Sequence, residues 1–328
     1  MAWTPEDLER AIAALVAEKD PQEGVSKRAF DLASEIEKLV SQKKLTQRWR
    51  EEHTLFVPPD EGFRPTKYEV IPITVAQAKG FVLEHHYLGS FASCRLATGL
   101  YESGGKLVGV AVFGVPAREA VAHYTSGELS ETSGTELNRF VLLDEVPYDA
   151  ETWFLARAFK MLLEKKPDIQ VVISYSDPVP RYSTSGLLVM PGHLGIIYQA
   201  FNAAYVGSTK AEGTWLDAEG KSIGARLLSK IRHGEVGQDY GIERLLAAGA
   251  PARRRGESAE AWVERSLREG PFRRIRHPGK HTYLWPLGPT KRERKRIASL
   301  FPEAIGYPGD PQLKRKAREQ RARKYGRS

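Results

Sequence analysis

Between residues 173 and 207 the chain reads Ile173-Ser-Tyr-Ser-Asp177-Pro and, past a short insert, Pro191-Gly-His193-Leu-Gly195-Ile-Ile-Tyr198-Gln-Ala-Phe-Asn202-Ala-Ala-Tyr205-Val-Gly207. A Val/Ile-rich run that ends in Ser-Asp puts a carboxylate at the mouth of a buried strand. The stretch after it brings a histidine and a tyrosine on a returning helix. A carboxylate, an imidazole and a phenol at this spacing suit proton transfer or metal coordination. Asp177 at a strand end lines a ligand crevice or caps the next turn; Tyr198 is an acid or a packed core tyrosine.

A second constellation is His85-His86-Tyr87, where two of the chain's eight histidines are adjacent. Successive helical residues point about 100° apart, so one of the two faces a site. His85 continues the Phe81-Val82 face, which leaves His86 and Tyr87 at the helix end. With Asp177 they make a His-plus-oxygen set suited to Fe(II) or another first-row metal, or His86 caps helix carbonyls. Arg139 follows in Glu136-Leu-Asn-Arg139-Phe-Val. Strand alternation groups it with Leu137 and Val141 and sends Glu136 to the opposite face. An arginine so placed binds a substrate or cofactor anion, or pairs internally with Glu136 or Asp144.

These residues need elements to hold them. The spacing predicts an N-terminal helical hairpin, begun by Thr4-Pro5-Glu-Asp7 and continued by Ala29, Phe30, Leu32, Ile36 and Leu39. Between residues 66 and 210 it predicts a strand at 68–73, a helix at 75–87, a hairpin around Ser103-Gly-Gly105, a strand at 136–143, a helix capped by Asp149, and a buried strand at 170–176. That order argues for an α/β mixed sheet flanked by helices. The expected division is a helical extension over 1–60, a catalytic core over 66–210 and a basic extension over 211–328.

Charge is unevenly spread. Residues 251–328 carry 22 Lys and Arg against 8 Asp and Glu, so that with a total of +8 the first 250 residues are net −6. A positive extension on an acidic body is the footprint of a phosphate-backbone partner, or of a solvated tail. The candidate contacts are Arg226 and Lys230 on a basic helix, Arg273, Arg274 and Lys280 in a cationic, aromatic stretch, and Lys314 and Arg315 in the tail. The single cysteine, Cys94, excludes an internal disulfide and a cysteine-rich zinc site. With no apolar run of membrane-spanning length and no leader-like start, a cytoplasmic protein without membrane contact is expected.

The strand and helix order resembles the GCN5-related acetyltransferase fold. The motifs His85-His86-Tyr87-Leu-Gly89, Glu136-Leu-Asn-Arg139-Phe-Val, Ser174-Tyr-Ser-Asp177-Pro and Gly192-His-Leu-Gly195-Ile-Ile-Tyr198-Gln-Ala-Phe-Asn202 look more specifically like the Mom family of phage DNA-modification proteins. They cover roughly residues 68 to 210. The resemblance implies transfer of a carbamoylmethyl group to N6 of adenine in double-stranded DNA, which shields phage DNA from restriction. It also implies a tyrosine acid at Tyr198, a crevice built with Gly192, His193, Gly195 and Asn202, and acetyl-coenzyme A or another carbamoylmethyl donor. One departure stands out. The loop where such enzymes hold pyrophosphate on glycine amides reads Leu143-Asp-Glu-Val-Pro-Tyr-Asp-Ala-Glu-Thr152, with four carboxylates and no glycine. It would repel pyrophosphate and leave the helix start, with Thr152 in its first turn, to a less charged ligand. A conventional N-acetyltransferase and a non-catalytic DNA-binding protein stay open as alternatives.

Overall fold

A computed structural model describes residues 63–308, apart from 87, 148–149, 187 and 191, together with the backbone of residues 46–50 and 53–57. The expected helical hairpin at 4–39 and the tail residues Lys314 and Arg315 lie outside the described residues. Strands β1 (Thr46–Arg50) and β2 (His53–Val57), which the sequence reading assigned to no element, pair antiparallel.

The core is a seven-stranded mixed sheet. Its strands are β3 (Tyr68–Ile73), β4 (Leu96–Glu102), β5 (Lys106–Gly114), β6 (Gly134–Leu142), β7 (Val171–Ser176), β10 (Ala204–Ser208) and β14 (His281–Pro286), in the order β10-β14-β7-β6-β5-β4-β3. Every neighbouring pair is antiparallel except β6 and β7. The parallel step requires a crossover, supplied by helix α3 (Ala150–Lys165). The β5 run Leu-Val-Gly-Val-Ala-Val-Phe is apolar without alternation because both of its faces are covered. On one face α3 packs Phe154, Leu155, Ala158 and Leu162 against Leu100, Ala111, Phe113 and Trp285. On the other, α1 (Val75–His85) covers Ala97, Val110, Val112 and Val141. A Thr74/Gln77 capping box starts α1. Pro72 is tolerated in β3 because that strand is an edge.

The mixed sheet flanked by helices is the architecture that the acetyltransferase resemblance implied. Its end is not at residue 210, however. Residues 209–280 form an insert between β10 and β14, and β14 then enters the sheet between β10 and β7. The insert has its own core. Helices α5 (Ala225–His233), α6 (Gln238–Ala247) and α7 (Ala259–Glu269) enclose Leu228, Ile231, Leu245, Trp262 and Leu267. They lie over a small sheet of β11 (Glu212–Leu216), β12 (Ser222–Ile223) and β13 (Arg273–His277). The basic helix that carries Arg226 and Lys230 is α5. After β14, helix α8 (Lys291–Ala298) buries Ile297, and the Ile305 N–H donates to the Tyr205 carbonyl at 2.9 Å on edge strand β10.

The cationic, aromatic stretch 272–286 is thus two strands with different fates. Arg274 on β13 is exposed, whereas Trp285 on β14 is 5% exposed and donates its indole N–H to the Phe201 carbonyl at 2.9 Å. Trp285→Ala is expected to cost about 3–5 kcal/mol in urea unfolding. Arg274→Ala should stay within about 0.5 kcal/mol of the parent. Equal effects of the two would contradict the placement of β14.

Candidate active site

Strands β6 and β7 pair only through Gly134–Glu136 and Val171–Ile173, then diverge. Beyond that point β6 stays with β5 and β7 with β14, which opens a crevice at their carboxyl ends. The Ser174 hydroxyl spans the divergence, donating to the Leu137 carbonyl at 2.9 Å. Crevice residues come from both walls. Tyr198 lies on the short helix α4 (Ile196–Ala200), and its buried ring packs on Tyr283 and Trp285 at 5.4 and 5.5 Å. Burial pushes its phenol up, a hydrogen bond with Ser174 works against that, and the Glu136 charge adds to it.

The register of β5 and β6 slips at Asn138: Val112 faces Arg139 while Phe113 faces Leu137. This β-bulge reverses the alternation. Leu137 and Phe140 both join the core under α3, and Val141 joins the core under α1. Arg139 therefore does not share a face with Leu137, and Glu136 is not on the face opposite Arg139, as strict alternation predicted; Glu136 and Arg139 point the same way. The Arg139 Nε and Nη2 donate to Ser90 carbonyl and hydroxyl at 2.9 and 3.2 Å, and the Asn138 amide donates to the Ser93 carbonyl at 2.9 Å. The bulge thus ties the loop after α1 to the crevice.

Asp177 lies just past β7 and is 6% exposed. Its Oδ1 accepts from the Val179 N–H at 3.0 Å and from His277 Nε2 at 2.9 Å, and its Oδ2 is ion-paired to the buried Arg181. The Gly279 N–H donates to His277 Nδ1 at 3.1 Å, so the imidazole hydrogen sits on Nε2, facing Asp177. Burial alone would raise this carboxyl; the Arg181 charge and the His277 hydrogen bond outweigh it and hold the group well below the usual range. A carboxylate so engaged is a weak proton acceptor.

Half-buried His193 donates its backbone N–H to the Asp177 carbonyl at 2.8 Å. Burial and the Arg181 charge bring its imidazole down to about 4 against the opposing pull of Asp177. His86 caps the end of α1, buried, with Nδ1 accepting from the Leu88 N–H at 3.2 Å; burial and the Arg139 charge hold it well below its ordinary value. His85 meets Phe81 edge-to-face, with ring centroids 4.6 Å apart, so the adjacent histidines face different surroundings. Tyr87 lies outside the described residues. Among the described residues no group of three His, Cys, Asp or Glu is arranged to hold a metal, and the Asp177 oxygens already have partners. The expected Fe(II) set joins His86 and Asp177 to Tyr87, which lies outside the described residues.

Gly192 and Gly195 hold φ of +77° and +75°, and a β-carbon there would meet the Pro178 carbonyl at 2.5 Å and the Tyr283 ring at 2.8 Å. Both are needed for the close return of the chain on β7. Asn202 is exposed and left-handed, φ +56°, just past α4. Thr152 is half-buried in the first turn of α3, and no described hydrogen bond joins it to the crevice.

The basic residues divide similarly. Arg226 is held by Glu235 at 2.8 Å, and Lys230 is half-buried on the same helix. Arg273 points inward and donates to the Tyr182 carbonyl, whereas Arg274 and Arg276 are exposed on the other face of β13. Lys280 sits at the crevice mouth, where its charge acts on both Asp177 and Glu136.

The residues that sequence reasoning missed are Arg181, His277 and Glu136. Arg181 lies in the short insert that separates the two halves of the motif, and His277 is 100 residues from the carboxylate it serves.

Comparison with known proteins adds a family. The model of the Mom protein family matches residues 67–304. Methylcarbamoylase mom of Escherichia phage Mu is 25% identical over 174 residues, 53% of this chain and 66% of its own length, so the chain spans just under two thirds of that relative. Among solved structures, a tandem GNAT protein from the clavulanic acid biosynthesis pathway aligns at a TM-score of 0.35 and 12% identity, over 68% of this chain and 100% of that one. A malonyl-CoA decarboxylase from Agrobacterium vitis aligns at 0.30 and 9%, over 90% and 73%.

Removing one partner of a buried ion pair typically costs about 3–5 kcal/mol, and Asp177→Asn is expected to lose that much at pH 7 in urea unfolding. The folded carboxyl titrates below the unfolded one, so its contribution is complete above about pH 4 and fades as the pH falls further. The gap between parent and variant should therefore narrow in acid; equal midpoints at pH 7 would refute the role.

Proposed function

The chain belongs to the Mom protein family, and from that premise we propose that it is a DNA-modifying enzyme that adds a carbamoylmethyl group to N6 of adenine in double-stranded DNA. The observation that carries this reading is the extent of the family match, which runs through both the crevice and the insert with its outward arginines. In this reading the exposed Arg274 and Arg276 contact backbone phosphates, and the extruded adenine enters between the walls of β6 and β7. Its amine is the nucleophile, Arg139 and His193 line its approach, and Tyr198 supplies an acid. The added group removes the N6 hydrogen-bond pattern that restriction enzymes read in the major groove, which protects phage DNA.

Coenzyme A suits this chain poorly as the donor. The loop sequence over 143–152 carries Asp144, Glu145, Asp149 and Glu151 and no glycine, a composition that repels pyrophosphate. Glu145 pairs with Lys106. A less anionic carbamoylmethyl donor fits the helix start better. Among the described residues no helix is long and apolar enough to cross a membrane.

Plasmid DNA recovered after expression, digested to nucleosides and weighed by mass spectrometry, should contain a carbamoylmethylated deoxyadenosine. Tyr198→Phe should lower its yield about 100-fold or more. Unmodified adenosine throughout, with acetyl transfer to amines or with DNA binding alone, would replace this reading by one of the two alternatives. Joint substitution of Arg274 and Arg276 by Ala should weaken DNA binding and reduce the salt slope of log affinity by about two. An unchanged slope would remove β13 from the DNA surface.

A further inference from the structure

Two carboxylates act on the crevice, and only one of them is engaged. Asp177 has every oxygen bonded, whereas among the described residues no hydrogen bond or ion pair holds the carboxylate of Glu136. Glu136 is half-buried at the last residue pair before β6 and β7 diverge. The bulge at Asn138 turns Arg139 to its side, and the charge of Lys280, in the turn before β14, acts on it without an ion pair among the described residues. That turn is pinned: the Lys280 N–H donates to Thr209 Oγ1 at 2.9 Å, and the Thr209 N–H donates to the Lys280 carbonyl at 2.8 Å. Tyr175 from β7, which lies in the field of Tyr124 of α2 (Ala120–Tyr124) as well, and Tyr198 from α4 complete the groups that sense its charge.

We infer that Glu136 takes the proton lost by the amine under modification, with Lys280 and Arg139 as positioning residues. This rests on the DNA-modification reading. The amine nitrogen forms a bond to the electrophilic carbon of the carbamoylmethyl donor. The bond from that carbon to its leaving group breaks, with the electron pair going to the leaving group, and the N–H proton passes to a Glu136 carboxylate oxygen. Burial raises the Glu136 carboxyl above the usual range while the two cations oppose that rise, which moves it toward the working pH of a base. The cation that opposes it most arrives only with the insert, so the site is complete only when residues 209–280 are docked.

The test reads two quantities on the intact protein. The first is the pH dependence of adenine modification in plasmid DNA, and the second is the carboxyl titration of Glu136 followed by NMR of carbon-labelled glutamate. Glu136→Gln should lower modification about 100-fold or more and delete one titration that lies above the ordinary glutamate range. Lys280→Met should move both the acid limb of the rate profile and that titration to higher pH, and Lys280→Arg should restore them. Parent turnover with an unaffected Glu136→Gln variant, or with a Lys280→Met profile that does not move, overturns the inference and leaves the reading of function standing. A parent protein that leaves DNA unchanged overturns that reading and this inference with it.

Discussion

The buried carboxylate of Asp177 is the point on which the architecture hangs. An isolated ionised carboxylate inside a protein is costly, and the cost is met only where charge and hydrogen bonds are both matched. Here the matches come from three separate segments: Val179 in the chain just beyond β7, Arg181 on the short strand β8 (Arg181–Tyr182), and His277 at the end of β13. Arg181 also reaches Ser222 on β12 at 3.3 Å, and Arg273 donates to the Tyr182 carbonyl. The carboxylate therefore docks the insert onto the core sheet. Once His277 is held, the chain has only three residues in which to turn and begin β14, which sets both the register of that strand and the place of Lys280.

The second constraint is the incomplete pairing of β6 and β7. Parallel strands that stay together bury their ladder, whereas here the ladder ends at Glu136 and Ile173 and leaves an opening between two covered faces. Ser174 closes the base of that opening through the Leu137 carbonyl, and the bulge at Asn138 spends one residue to re-aim the next. Without that extra residue Arg139 would point into the apolar core under α3. With it, the guanidinium braces Ser90 and faces Glu136. A single unpaired strand residue thus decides which charges meet.

Much of the core was legible from local pattern. The apolar runs of β5 and β7, the Ser103-Gly-Gly105 turn and the stripe of α3 report on their own neighbourhood, and they stand where periodicity put them. The sequence also pointed to the end of β7 as the crevice. What it could not convey was long-range pairing. Nothing local in His281-Thr-Tyr-Leu-Trp-Pro286 says that β7 and β10 will flank it, more than 70 residues after the latter begins. Asp177 stood out as an acid with no visible partner, and its partners are four and 100 residues away. The face of Glu136 was misread for a different reason: strict alternation is the default, and a bulge leaves no mark in a run such as Glu-Leu-Asn-Arg-Phe-Val.

These two constraints together divide the crevice charges. The imidazole of His86 is held well below its ordinary value, and those of His193 and His281 are brought down to about 4, chiefly by burial, so all three are neutral near pH 7. Positive potential in the crevice therefore comes from Arg139, Arg181 and Lys280. Arg181 is committed to Asp177, and the environments of the two carboxylates push their acidities apart, one down by bonding and one up by burial. Such separation is how one site assigns a structural role and a proton-transfer role to the same chemical group. Asp177 is the more conspicuous residue in the sequence because it ends a strand and precedes a proline. Bonding inverts that order: the fully bonded group holds the fold, and Glu136, which no hydrogen bond or ion pair holds among the described residues, is the one able to act on a substrate.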